Sequence, residues 1–140
     1  MKISTKGRYA LRLMLDIAQN QASGPVTLRD ASERQDISKK YLEQIALQLS
    51  QSGILRASRG HQGGYMLTRA PEDCSVGEIL RITEGSTAPV ACLESGKNVC
   101  PRCGSCLTLP VWLGLDRVIE RYLDSMTLRD ILDGNIPEST

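Results

Sequence analysis

Two short runs, Ile54-Leu55-Arg56-Ala57-Ser58 and Tyr65-Met66-Leu67-Thr68, flank the polar segment Arg59-Gly60-His61-Gln62-Gly63-Gly64. Glycine lets a backbone turn through conformations that a Cβ forbids, so this segment predicts a β-hairpin with a glycine-bracketed tip. Two strands alone cannot hold a hydrophobic face, so such a hairpin must lean on other elements. Everything before it reads as helix.

Three helical patterns precede the hairpin. From Tyr9 to Ala18 the apolar residues Leu11, Leu13, Met14, Leu15, Ile17 and Ala18 form a broad buried face, and Gly24-Pro25 ends the pattern. Thr27 opens a short helix as an N-cap, with Asp30 where a capping acid sits. Ser38 opens the third in the same way; Leu42, Ile45, Ala46 and Leu49 form its apolar face and Gly53 stops it. The second and third helices, with Gln35-Asp36-Ile37 between them, predict a helix-turn-helix from about residue 27 to 52. With the hairpin as a wing, the order is that of a winged helix-turn-helix. Aromatics at 4%, with no Phe, also favour an aliphatic helical core over a β-sandwich.

The net charge of +1 conceals an asymmetry. Residues 1–70 carry 11 Lys/Arg against 5 Asp/Glu, a balance of +6, and residues 71–140 carry 6 against 11, a balance of −5. Only the first half is suited to face a polyanion. On the third helix, Lys39, Lys40, Glu43, Gln44 and Gln48, beside Tyr41, make the expected exposed face. Gln can pair with adenine and Glu can accept from cytosine N4, while Lys and Ser38 hold phosphates or guanine edges. Arg59 at the hairpin tip is suited to the narrow minor groove, and Gly60 lets the backbone approach a phosphate. His61, the one histidine, reads as a phosphate contact or plain surface, not as a metal ligand.

The second half differs. Ser75 to Thr83 predicts one more short helix, and 85–107 lapses into a loop of small and polar residues with four cysteines. From about Pro110 to Met126 a helix of roughly 25 Å follows. Its stripe is Val111, Trp112, Leu115, Val118, Ile119, Tyr122, Leu123 and Met126. It either folds back on its own domain or packs against its copy in a second chain. Thr127 caps a last turn, Leu128–Leu132. The division expected is 1–84 winged-helix DNA-binding domain, 85–108 cysteine-rich cluster-binding loop, and 109–140 dimerisation helix and tail. The N-terminus lacks the apolar core of a secretion signal and no run approaches a membrane span, so the expectation is a soluble, cytoplasmic protein with no membrane partner.

Cys92, Cys100, Cys103 and Cys106 form the pattern C-x7-C-x2-C-x2-C; Cys74 stands apart and reads as a small buried residue. Where thiols stay reduced, such clustering points to metal or redox chemistry, with Lys97 and Arg102 offsetting thiolate charge. Zinc sites usually separate two C-x2-C pairs, whereas crowded cysteines with a remote fourth occur in iron–sulfur proteins. Spacing favours a cluster, with zinc or a thiol switch as the alternative. A small redox enzyme built on Cys100-Pro101-Arg102-Cys103 lacks the βαβ context its motif needs, so no enzyme is expected.

Several stretches resemble the winged-helix iron–sulfur cluster transcription regulators typified by IscR, which include NsrR and CymR. They are residues 1–10 (MKISTKGRYA), Tyr41-Leu42-Glu43-Gln44, Arg59-Gly60 with Gly63-Gly64-Tyr65, and Cys106-Leu107-Thr108 followed by Trp112. The resemblance covers nearly the whole chain. It implies a repressor or activator that acts as a homodimer with crossed C-terminal helices on palindromic double-stranded operators. It also implies that Glu43 and Gln44 read bases and that Arg59 enters the minor groove. The family's cluster pattern of three cysteines, the latter two separated by five residues, is matched by Cys92, Cys100 and Cys106. The histidine that completes the IscR-type site is absent, since Leu109 stands there, and Cys103 becomes the fourth-ligand candidate. A two-iron cluster is the expectation, and all-cysteine ligation also admits a four-iron one. Family members such as CymR lack the cluster cysteines.

Overall fold

The first four backbone N–H groups of a helix lack intrahelical partners, and a hydroxyl placed just before them supplies one. The chain uses this device repeatedly. Ser4 Oγ accepts from Gly7 N at 3.0 Å to start α1 (Thr5–Asn20). Thr27 Oγ1 accepts from Asp30 N to start α2 (Leu28–Gln35), and Ser38 Oγ from Tyr41 N to start α3 (Lys39–Gln51). Ser75 opens α4 (Val76–Glu84), and Thr127 opens α6 (Leu128–Leu132) with a reciprocal capping box to Asp130. The long helix α5 (Leu109–Ser125) starts instead with Pro110 in its first turn, where no N–H is missed. This computed structural model describes residues 2–60, 63–94, 101–102 and 104–137.

Helix α1 starts at Thr5, ahead of the Tyr9 that apolar spacing alone marks. Ser4 is held from far along the chain: its N and Oγ both donate to Glu84 Oε1, at 2.9 and 2.6 Å. A Cβ on Gly7 would collide with that same carboxylate oxygen and push Glu84 off its bonds to Ser4.

The hairpin pairs β1 (Leu55–Ser58) with β2 (Gly64–Leu67) antiparallel, Leu55 opposite Leu67 and Ser58 opposite Gly64. Both strands are set one residue from the runs read in the sequence. Ile54 N is taken by Leu49 O as α3 ends, and Thr68 lies past the last pair, its N bonded to Ile54 O. Val26 supplies the support that two strands lack, exchanging both backbone hydrogen bonds with Tyr65 at 2.8 and 2.9 Å.

One core lies under these elements. Leu13, Met14 and Ile17 of α1, Leu42, Ile45 and Leu49 of α3, and Ile79 of α4 are fully buried, each worth about 1.5–3 kcal/mol by removal from water. Cys74 and Leu128 belong to the same core, and the chain is stitched there by Leu128 N→Cys74 O (3.0 Å) and Val76 N→Met126 O (2.8 Å). Helix α5 packs along α4 but contains no fully buried residue.

Candidate DNA-reading surface and cysteine loop

The turn before α3 is fixed by an ion pair beneath it. Asp16, 1% exposed, receives Arg34 Nε and Nη2 at 2.9 and 2.8 Å and Gln35 Nε2 at 3.0 Å. Arg12 donates from Nε to Gln35 Oε1 and from Nη2 to the Gln35 carbonyl. Asp36 then takes a left-handed conformation (φ 54°), an αL cap that asparagine and aspartate tolerate, and the chain re-enters helix at Ser38. The guanidinium of Arg12 also lies 5.4 Å from the Tyr9 ring centre, and Tyr9 meets Tyr41 edge-on at 5.6 Å. Tyr41 is therefore partly buried against α1 while its neighbours face solvent.

Ser38, Lys39, Lys40, Glu43 and Gln44 are exposed on the first turns of α3. Among the described residues Glu43 is engaged only by Lys39, at 3.9 Å, an open i,i+4 pair that contributes little and can be given up. Gln48 departs from the sequence reading. Its Nε2 donates to the Ile82 carbonyl at 2.7 Å, so it joins α3 to α4 instead of facing solvent. Helical spacing put Gln48 near the polar face, but not what α4 would present to it.

Arg59 and Gly60 are exposed at the wing tip, where Gly60 takes φ 118° and its carbonyl accepts from Gly63 N at 3.0 Å. His61 and Gln62 lie outside the described residues.

Two of the four loop cysteines are described, Cys92 and Cys106; Cys100 and Cys103 lie outside the described residues. Cys92 and Cys106 are partly exposed free thiols. Cys106 Sγ sits 3.3 Å from Thr108 Oγ1, and hydrogen bonding from the Thr108 hydroxyl and then its backbone N–H pulls the thiol below its usual range. Thiolates are the soft donors that iron–sulfur clusters and zinc take, so this donor set fits such a group. No group of three or more candidate metal ligands is gathered among the described residues. Cys74 is the opposite case: it is fully buried, and burial pushes its thiol up despite nearby Arg69.

Beside the loop, Gly85 (φ 78°) ends α4, and a cleft of about 170 Å³ opens between Ser86, Thr87, Leu93 and the α5 residues Asp116 and Glu120. Arg81 reaches across from α4 to Asp124 Oδ1 at 2.6 Å. The opposite side of α5 exposes Val111, Leu115, Val118 and Tyr122, spaced as a single stripe.

Three helices, a supported hairpin and a polar first turn on α3 define a winged helix-turn-helix protein of the DNA-binding kind. The chain belongs to the Rrf2 family, described as iron-dependent transcriptional regulators, whose pattern matches residues 3–134. It is 38% identical over 133 residues to the HTH-type transcriptional regulator IscR of Klebsiella pneumoniae, covering 95% of this chain and 80% of that one. The solved structure of T. potens IscR matches with a TM-score of 0.76 and 38% identity, over 96% of this chain and 88% of that chain. The structure of CymR, the global cysteine regulator of B. subtilis, matches with a TM-score of 0.78 and 32% identity, over 94% and 95%. This protein is accordingly a transcription regulator and not an enzyme. No helix among the described residues is long and apolar enough to cross a membrane.

Proposed function

We propose that this regulator binds a palindromic operator as a homodimer and senses iron–sulfur status through a cluster held by Cys92, Cys100, Cys103 and Cys106. In this reading residues 1–84 bind DNA, residues 85–108 sense, and α5 pairs two chains. Lys39, Lys40 and Ser38 hold phosphates or guanine edges, Glu43 and Gln44 read bases, Tyr41 braces them, and Arg59 with Gly60 enters the minor groove. The exposed stripe of α5 packs on its own copy, which spaces the two α3 helices for two half-sites.

The observation that carries the sensing part is the hydrogen bond from Gln48 to the Ile82 carbonyl. It ties the reading helix to the last turn of α4, and the chain passes from that turn through Gly85 into the cysteine loop. When bound, a cluster supplies bonds between iron and several thiolates and a centre that responds to oxidants and iron supply. The chain's own residues carry the rest. Glu84 holds the start of α1 through Ser4, Arg81 holds α5 through Asp124, and Gln48 holds α3. A loop ordered in one shape biases how these three helices sit, and with them the affinity for DNA.

The test is anaerobic reconstitution with iron and sulfide, followed by metal and sulfide analysis and operator titration of loaded and stripped protein. Visible absorbance with matching iron and sulfide, and two different affinities, support the reading. A colourless protein holding one tight zinc overturns the cluster, and equal affinities overturn the sensing.

A further inference from the structure

Among the described residues, the exposed large apolar side chains all fall between residues 107 and 136, with one exception: Leu47 on α3, 58% exposed. An isolated exposed leucine is ordinary on a protein surface. Its position here is not. At 3.6 residues per turn, Leu47 projects within about 60° of each of Lys40, Glu43 and Gln44, in the middle of the polar face. The rise from Glu43 to Leu47 is about 6 Å, inside a major groove about 12 Å wide. Its neighbour Gln48 is turned away to Ile82, so polar reading stops at Gln44 and the next side chain on that face is a hydrocarbon.

An isobutyl group offers no hydrogen bond, and the base-edge partner in the major groove that suits it is the thymine C5-methyl. Resting on the proposal that this face of α3 enters the groove, we infer that Leu47 is a specificity-determining residue that packs on a thymine methyl one helical turn beyond the bases read by Glu43 and Gln44. The site thereby adds a purely apolar discrimination to its polar ones.

The probe is the duplex that wild-type protein enriches from random-sequence DNA, resynthesised with deoxyuridine in place of each thymine in turn, which removes only the methyl. At one thymine per half-site, wild type should lose about fourfold in affinity, the worth of one methyl-sized contact. Leu47→Ala should be weaker on the parent duplex and indifferent to uracil at that position, as should Leu47→Gln, while thermal melting of both variants overlays the wild type. Uracil substitution that costs nothing anywhere, or costs wild type and Leu47→Ala alike at every thymine, overturns the contact while leaving DNA reading intact. A wild type that enriches no sequence overturns both.

Discussion

Arg34 grips Asp16 with two parallel hydrogen bonds, and the two residues are unequally buried: the Asp16 side chain is 1% exposed and the Arg34 side chain 39%. That asymmetry decides which partner matters more. Without Asp16, Arg34 can swing into water. Without Arg34, a charge stays under the helix-turn-helix turn with only Gln35 to satisfy it. Arg34→Ala should therefore cost about 3 kcal/mol in urea unfolding, the low end for a broken buried pair because one partner is partly hydrated, and Asp16→Asn about 1–2 kcal/mol. The double variant should cost less than the sum. Equal and additive losses would show that the pair is not coupled.

Gln48→Leu keeps the side chain's size and removes its hydrogen bond to Ile82. The lost bond should lower stability by about 1 kcal/mol, and the carbonyl at the end of α4 can rebond to water. The informative readout is different: the ratio of operator affinities for cluster-loaded and stripped protein should move toward one, because α3 is no longer tied to the turn that leads into the loop. An unchanged ratio beside a lowered melting temperature would make Gln48 a structural brace and nothing more.

How much of this was legible beforehand depended on range. Caps at Thr27, Ser38 and Thr127 and the tip glycines are local chemistry, so each of those elements was readable from a few neighbouring residues. The contacts that the proposed function rests on are not local. Ser4 meets Glu84 across 80 positions and Gln48 meets Ile82 across 34, and neither residue type announces its partner. Leu47 falls outside the apolar face of Leu42, Ile45, Ala46 and Leu49, and its residue type alone does not say whether another element covers it; its 58% exposure does. Asp16 sat within an otherwise apolar stretch, and that break was the one available signal of a buried pair.

The five cysteines should divide sharply under substitution. Cys92→Ala, Cys100→Ala and Cys106→Ala should each abolish most cluster incorporation under anaerobic reconstitution, measured as iron and sulfide per chain. Cys103→Ala decides whether the fourth ligand comes from the loop. Cys74 should behave oppositely: buried and with its thiol pushed up, it should resist iodoacetamide in the folded chain and react only on unfolding. The sign of its linkage follows. The folded state keeps the Cys74 proton longer than the unfolded state, so its contribution is present below an unfolded pKa of about 8.5 and is lost as pH rises beyond it. Cys74→Ala should flatten that alkaline decline in stability while leaving the iron content unchanged.

Helix α5 presents Val111, Leu115, Val118 and Tyr122 to solvent, between 42 and 60% exposed, while its other side leans on α4. A stripe this regular on a helix of 17 residues calls for a partner, and in the proposed homodimer a second copy would meet it in an isologous contact. Leu115→Asp combined with Val118→Asp places two charges in the middle of that seam, where neither can be solvated in a dimer. Neither side chain is buried in the single chain, so the melting curve at low protein concentration should change little. Sedimentation should report a monomer in place of a dimer, and the operator affinity should fall steeply because each half-site is then bound independently. If the doubly charged variant still sediments as a dimer, the chains pair through some other surface, and the spacing of the two reading helices must be sought there.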